Sequence, residues 1–329
     1  MRSVFLTLAA ARRSVVARLR RERFAGGDAA MRILITGASG LVGSALSAAL
    51  GAEGHSVGGF VRPGTSASKD DVAWDPATGK MDLKAAEGAD AVVNLAGASI
   101  GGGRWTEERK KLLRTSRVNL TERLVRNLEQ LTRRPAVLVS ASAIGYYGDR
   151  GEEVVAESSP PGNDFLSRLS SEWEAAAMGA EKLGIRTVIT RFGIILSKSG
   201  GALPRMLTPF KLGVGGKLGS GKQWMSWVAL DDVVGAIRDA IATPSWRGPV
   251  NGVAPNPARN ADFTLSLARV LHRPALFPAP AFALRLMLGE MADALLLSSQ
   301  RVVPQKLLDA RFSFRIAELE SALKRALEV

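Results

Sequence analysis

The segment ILITGASGLVGSAL places Gly37, Gly40 and Gly43 at G-x-x-G-x-x-G spacing, with Ser39 and Leu41 between them. A tight turn, close approach of backbone to a pyrophosphate and close helix packing each require a missing Cβ, and a helix N-terminus adds N–H groups and positive dipole. Lying directly after a strand and before a helix, the triplet predicts a dinucleotide site. At the end of the second strand, in FVRPG, Arg62 stands where an NAD site carries an acid for the ribose 2′-hydroxyl. A guanidinium suits a 2′-phosphate, so NADP is expected ahead of NAD; a surface arginine without a ligand is the plain alternative. NLAGA (94–98), with Leu95, Ala96 and Gly97, adds a small-residue turn at a strand end, and Asn119 follows on the next helix. Both read equally as cofactor contacts or as packing. Arg191, at the end of a later strand, is set with them as a contact for the cofactor or for an anionic substrate group. The chain has two tyrosines, Tyr146 and Tyr147, side by side in SASAIGYYGDRG (140–151), where they do chemistry or form a wall.

These residues need a scaffold that brings strand ends together. RILIT (32–36), SVGGFV (56–61), DAVVNLA (90–96), AVLVSAS (136–142) and RTVITRF (186–192) read as buried strands, separated by helical stretches at 41–53, 106–133 and 165–183. Strand and helix in alternation predict an α/β fold, a Rossmann-type doubly wound parallel sheet. The order breaks down after about 195, so 31–195 is expected to be the NADP-binding domain. Residues 196–329 would form a smaller substrate lobe interleaved with the last strands, ending in a helical extension (about 278–329), over the strand ends where open α/β sheets bind ligands.

Bulk properties narrow the function. The chain of 329 residues has no Cys and only His55 and His272, which excludes disulfides, thiolate chemistry and the usual zinc sets, so no metal site is expected. Net charge is +13, of which the first thirty residues, with seven Arg against Glu22 and Asp28, carry +5. The remainder is dispersed without interleaved aromatics, so a solvated basic surface is expected and no nucleic-acid partner. Residues 1–30 read either as an organellar transit peptide or as a start placed too early, with Met31 the initiator. The protein is accordingly expected in the cytoplasm, or in an organellar stroma or matrix if 1–30 is a transit peptide. The apolar region 279–297 is broken by Arg285, Glu290 and Asp293, so no membrane association is expected; a homodimer is compatible with such a chain. GKLGSGKQ (216–223) is not a P-loop, because Gln223 replaces the Mg²⁺-binding Ser or Thr, and it reads as a flexible loop. His272 reads as structural. Trp224 and Trp227 line a pocket or fill the interface between lobes.

With TGASGLVG, NLAGA and SASAIGYYG on successive strands, the chain resembles an atypical extended short-chain dehydrogenase/reductase of the NAD-dependent epimerase/dehydratase family. GYYGDRGEE, SSEWEAAA, TRFGIIL, GGALPRMLTPFKLG, GSGKQWMSWVALDD and VAPNP are similar to the YfcH-like "epimerase family" branch with its C-terminal helical extension. The resemblance runs from Met31 to about Leu327. It implies an NADP-dependent oxidoreductase or epimerase-like enzyme acting on a small molecule, with a Ser, Tyr, Lys set in which the tyrosine exchanges a proton with the substrate oxygen. Ser142 lies where that serine is expected. The Tyr-x-x-x-Lys pair is missing, because Leu166 and Ser170 take its places in DFLSRLSSEWEAAA. Tyr147 or Tyr146 could then supply the phenol, with Arg150 as the nearby cation, or both could stack against ligand. Glu172 or Glu174 could act as a base from the cleft, one of the two being solvated. A chain without the pair could also bind NADP(H) without turnover. In LLDARFSF, Arg311 replaces the branch's usual glycine, which puts the local turn in doubt.

Overall fold

The computed structural model describes residues 30–65 and 68–328. The reading of the leading segment as transit peptide or miscalled start lies outside them. Seven parallel strands make the central sheet: β1 Arg32–Thr36, β2 Ser56–Val61, β3 Val72–Ala73, β4 Ala91–Asn94, β5 Val137–Ala143, β6 Arg186–Phe192 and β7 Gly248–Gly252. Their order is β3-β2-β1-β4-β5-β6-β7, with every pair in parallel register. The winding reverses between β1 and β4, and the carboxyl ends of these two strands therefore open a crevice, the binding point of the Rossmann-type fold.

Alternation along the strands decides which residues face which layer. Ile33, Ile35, Val93 and Val139 point to one side, where they join Leu46 and Leu50 of α1 (Leu41–Ala52) and Ile237 and Ile241 of a helix at Leu230–Ala242. Leu34, Val92, Leu138 and Ile189 point to the other, against Leu124 and Leu128 of the helix Leu120–Glu129. With both faces covered, the strands read as unbroken apolar runs, which made β1, β2 and β6 visible to the residue in the sequence. The stretch 106–133 is not one regular helix. It runs through Glu107–Arg114, a π turn at Thr115–Asn119 and Leu120–Glu129.

The lobe has its own core, in which Leu203, Leu207 and Phe210 pack with Trp227, Phe263, Leu267 and Leu323. Trp227 is fully buried, so it fills the lobe and lines no pocket. GKLGSGKQ is tied at its end, where buried Gln223 donates to the carbonyls of Leu218 and Leu296. His272 caps a helix end in the left-handed region. Arg311 also adopts φ +53°, a conformation that favours glycine, so the turn survives the substitution at a cost in backbone strain.

A buried polar cluster sets the crevice. The Thr36 hydroxyl donates to Asn94 Oδ1 (2.8 Å), and Asn94 Nδ2 donates to Thr121 Oγ1 (2.9 Å) and Ser140 Oγ (3.1 Å). Thr121 also accepts from the indole of Trp173 (3.0 Å), while Thr36 Oγ1 accepts the backbone N–H of Leu95 and Ala96. One asparagine thus ties β1, β4, β5 and the helix Leu120–Glu129, whose Thr121 carries the link on to Trp173, and the hydroxyl of Thr36 holds the turn after β4. Asn94→Ala is expected to leave Thr36 and Thr121 short of buried partners and to lower unfolding free energy by about 2–3 kcal/mol in urea titrations.

Candidate active site

The first turn has the shape its glycines require. Gly37 sits at φ +68°, and a Cβ there would lie 3.1–3.2 Å from the backbone of Leu95 and Ala96, so the turns after β1 and β4 touch without a side chain between them. A Cβ on Gly43 would overlap the Gly37 carbonyl oxygen and lie 2.8 Å from Ala38 Cα. Gly40 is the N-cap of α1; no side chain caps this end and no acid stands in its first turn. Uncapped N–H groups and the helix dipole are therefore offered to an anion. Ser39 and Arg62 are exposed, and among the described residues no hydrogen bond or ion pair holds the Arg62 guanidinium. Leu41 is half-buried beneath the lobe, since a Cβ on Gly200 or Gly201 would meet its side chain at 3.6 Å. Asn119 lies half-buried in the π turn, its Oδ1 3.4 Å from Arg114. Gly97 lies under Arg117, whose Cζ a Cβ there would approach to 3.2 Å.

The other predicted residues meet at the ends of β5 and β6. Ser142 donates to Glu174 Oε1 (2.6 Å), and Arg191 grips the same carboxylate with Nε (2.8 Å) and NH2 (2.7 Å). Arg191 NH1 donates to Tyr147 Oη (2.9 Å), which donates in turn to Asn251 Oδ1 (2.7 Å). Glu157 Oε1 accepts the Asn251 N–H (3.0 Å), and Asn251 Nδ2 donates to the Val303 carbonyl (2.9 Å). Burial pulls the Arg191 pKa down, but hydrogen bonding and charge from Glu174 reverse this and leave it above the usual guanidinium range. Burial raises the Tyr147 phenol, opposed by Arg191 and Asn251.

This arrangement corrects several expectations. Arg191, 2% exposed and bidentate to Glu174, has no face free for a cofactor or substrate anion. The cation at the tyrosines is Arg191, its Cζ 3.5 Å from the Tyr146 ring centroid; Arg150 turns to the Tyr147 and Pro160 carbonyls and to Glu153. Tyr147 is 0% exposed with its hydroxyl engaged twice, so it is the inner member of the pair. Tyr146 is half-buried, edge-on to Tyr147 at 5.3 Å, and no partner holds its hydroxyl among the described residues. Of the two glutamates Glu172 is the solvated one, paired with Arg114, and Glu174 is the inward one, committed to Arg191 as a fixed anion. Leu166 packs on Gly145, where a Cβ would meet it at 3.2 Å. Trp224 has two guanidinium groups on its ring, Arg259 at 4.1 Å and Arg301 at 4.5 Å from the centroid. Sequence reasoning missed Thr36, Asn94, Thr121, Glu157 and Asn251, polar residues at strand ends or in buried stretches, which was the one available signal. A cavity of about 380 Å³ lined by Met31, Asp90, Ala136 and Arg186 opens at the opposite, N-terminal edge of the sheet, remote from all these residues.

The two tyrosines should separate cleanly in stability. Tyr147→Phe strands Asn251 Oδ1 in the interior and leaves Arg191 NH1 only the Glu157 carbonyl (3.4 Å), and is expected to cost about 1–3 kcal/mol, while Tyr146→Phe stays within about 0.5 kcal/mol of the parent in chemical denaturation.

Residues 33–250 match the family model described as NAD dependent epimerase/dehydratase family, and residues 279–326 match a domain of unknown function, DUF1731. An epimerase family protein of Mycobacterium bovis is 42% identical over 291 residues, covering 88% of this chain and 96% of that one. A chloroplastic epimerase family protein, the SDR39U1 homolog of Arabidopsis thaliana, is 38% identical over 92% of this chain and 88% of its own. Among solved structures, human epimerase family protein SDR39U1 (isoform 2) with NADPH superposes with a TM-score of 0.81 at 33% identity, over 91% of this chain and 99% of that one. No helix among the described residues is long and apolar enough to cross a membrane.

Proposed function

The chain belongs to the NAD dependent epimerase/dehydratase family, and on that premise we propose that it is an NADP-dependent oxidoreductase or epimerase-like enzyme acting on a small molecule. The observation that carries this reading is the pair formed by the side-chain-free contact of Gly37 and Gly43 and Arg62, just after β2, whose guanidinium has no partner among the described residues. Backbone N–H groups at the start of α1 would hold the pyrophosphate, and Arg62 the 2′-phosphate. The NADPH in the human relative's structure supports the same choice of coenzyme. When bound, the nicotinamide supplies or accepts hydride.

The protein's own residues divide into two groups. Tyr146 presents a phenol with no partner among the described residues and is the group proposed to meet the substrate oxygen and exchange its proton. Arg191 beneath its ring, the Glu174 carboxylate, Ser142 and Tyr147 are positioning residues that fix that ring. A phenol over a guanidinium face would bear developing negative charge better than one over an apolar floor. A second reading is binding of NADP(H) without turnover, and it is favoured by Leu166 packed at the place of the missing tyrosine.

Arg62→Ala should weaken NADPH binding by about 10- to 100-fold, the worth of one charge-assisted phosphate contact, and leave NADH unchanged within a factor of two by fluorescence titration. Equal loss for both coenzymes would overturn the assignment of Arg62. In NADPH oxidation across a panel of carbonyl compounds, Tyr146→Phe is expected to lower kcat about 100-fold or more with little change in coenzyme affinity. Coenzyme binding with no consumption by any member of the panel would establish the second reading instead.

A further inference from the structure

Beside the coenzyme crevice, the loop after β4 carries cations with no acid to match. Arg117 NH2 donates to the Ala98 carbonyl (2.9 Å), Arg109 donates to the Ser99 carbonyl, and Arg205, arriving from the lobe helix Leu203–Lys211, donates to the Gly101 carbonyl. Glycines make this approach feasible: a Cβ on Gly97, Gly101 or Gly102 would run into the guanidinium of Arg117, Arg205 or Arg109 respectively. Neighbouring cations on the same helix have acids, Lys110 with Glu107 and Glu290, and Arg114 with Glu172. Among the described residues no acid lies within 4 Å of Arg109, Arg117 or Arg205, and the buried Nε of Arg109 has no partner. Carbonyl dipoles satisfy a few of each guanidinium's five donors but do not neutralise its charge. Burial first, and the charge of Arg109 second, lower Arg117 to about 10.

We propose that Arg109, Arg117 and Arg205 over the loop 97–103 form an oxyanion subsite that takes a phosphate or carboxylate group of the substrate. This deepens the enzymatic reading and rests on it for the identity of the occupant as substrate. One of the three arginines comes from the lobe, so an anion bound there bridges the lobe to the coenzyme domain and fixes the substrate's distance from the crevice. The substrate class that follows is an anionic carbonyl or alcohol compound.

The test is calorimetric titration of inorganic phosphate into the full chain saturated with NADPH, at constant ionic strength. The expected result is saturable millimolar binding that weakens at least 10-fold in Arg109→Gln/Arg117→Gln and at least 3-fold in Arg205→Gln, with NADPH affinity unchanged within a factor of two in each. The exposed Arg205 variant keeps the test decisive if the double variant fails to fold. No phosphate binding to the NADPH-saturated chain, or equal binding by parent and Arg205→Gln, overturns the subsite. Loss of NADPH affinity in parallel with phosphate would show that the anion is the coenzyme's own and overturns it as well. Should the parent not bind NADPH at all, the functional reading fails by itself, and phosphate titration of unliganded Arg62→Ala against Arg62→Ala/Arg205→Gln still decides the subsite.

Discussion

A buried guanidinium–carboxylate pair, Arg191 with Glu174, organises the end of the sheet. Each ion costs several kcal/mol to remove from water, and only bidentate geometry with the remaining donors and acceptors satisfied makes that tolerable. Here each nitrogen of the guanidinium has a partner: Ser142 adds a third donor to the carboxylate, and Tyr147 and the Glu157 carbonyl accept from the remaining arm of Arg191. Because Tyr147 then reaches Asn251 on β7 and Asn251 reaches Val303, the pair fastens the helix Phe165–Met178, three strands and the C-terminal segment to one another. Leu166 and Ser170 take the places of the phenol and the ammonium group that the resemblance calls for. Beside Ser142 the fold holds instead a closed ionic pair, and the Arg191 guanidinium forms a floor for the Tyr146 ring.

The crevice at the reversal between β1 and β4 obeys a different constraint, one of absence. Its two turns approach so closely that Gly37 and Gly43 admit no Cβ, while Thr36 and Asn94 hold the turns from below through buried hydrogen bonds. Steric exclusion above and polar satisfaction beneath give one backbone shape, with N–H groups left at the start of α1. A phosphate-binding surface made of main chain needs this kind of support, since no side chain of its own can correct its position.

Much of this was legible in the residues and some could not be. Strands buried on both faces announce themselves as apolar runs, and β1, β2 and β6 lie where the runs lie. β7, GPVNG, carries no such signal; it is held as a strand by its register with β6 and by the bonds of Asn251, tertiary terms that override its poor propensity. Glu172 and Glu174 lie two apart on a helix and so face different ways, and only the fold decides which is inward. Arg150 was the cation nearest the tyrosines in sequence, but Arg191, on the neighbouring strand β6, is the nearest in space, because β5 and β6 place Ser142 opposite Arg191. Partners 44 and 104 residues from Tyr147 leave no local trace in the chain.

Whether a polar group is satisfied separates architecture from function in this molecule. Ser142, Arg191 and Tyr147, all drawn from sequence as site residues, prove to be among its most completely bonded side chains, and a group with every partner inside the protein has little left to offer a ligand. Among the described residues the unfinished groups are of another kind: the N-terminus of α1 without a cap, the Arg62 guanidinium, the Tyr146 hydroxyl and, over the loop after β4, the buried Nε of Arg109 and the uncompensated charge of its arginine neighbours. They lie at the turn after β1, the strand ends flanking it and the helix Leu203–Lys211. Incomplete bonding costs free energy in the unliganded state, and such a cost is sustained where a ligand removes it on binding. The protein is thus a saturated ionic frame holding a set of unsaturated polar groups at one edge of the sheet, the groups that the proposed coenzyme and substrate would complete.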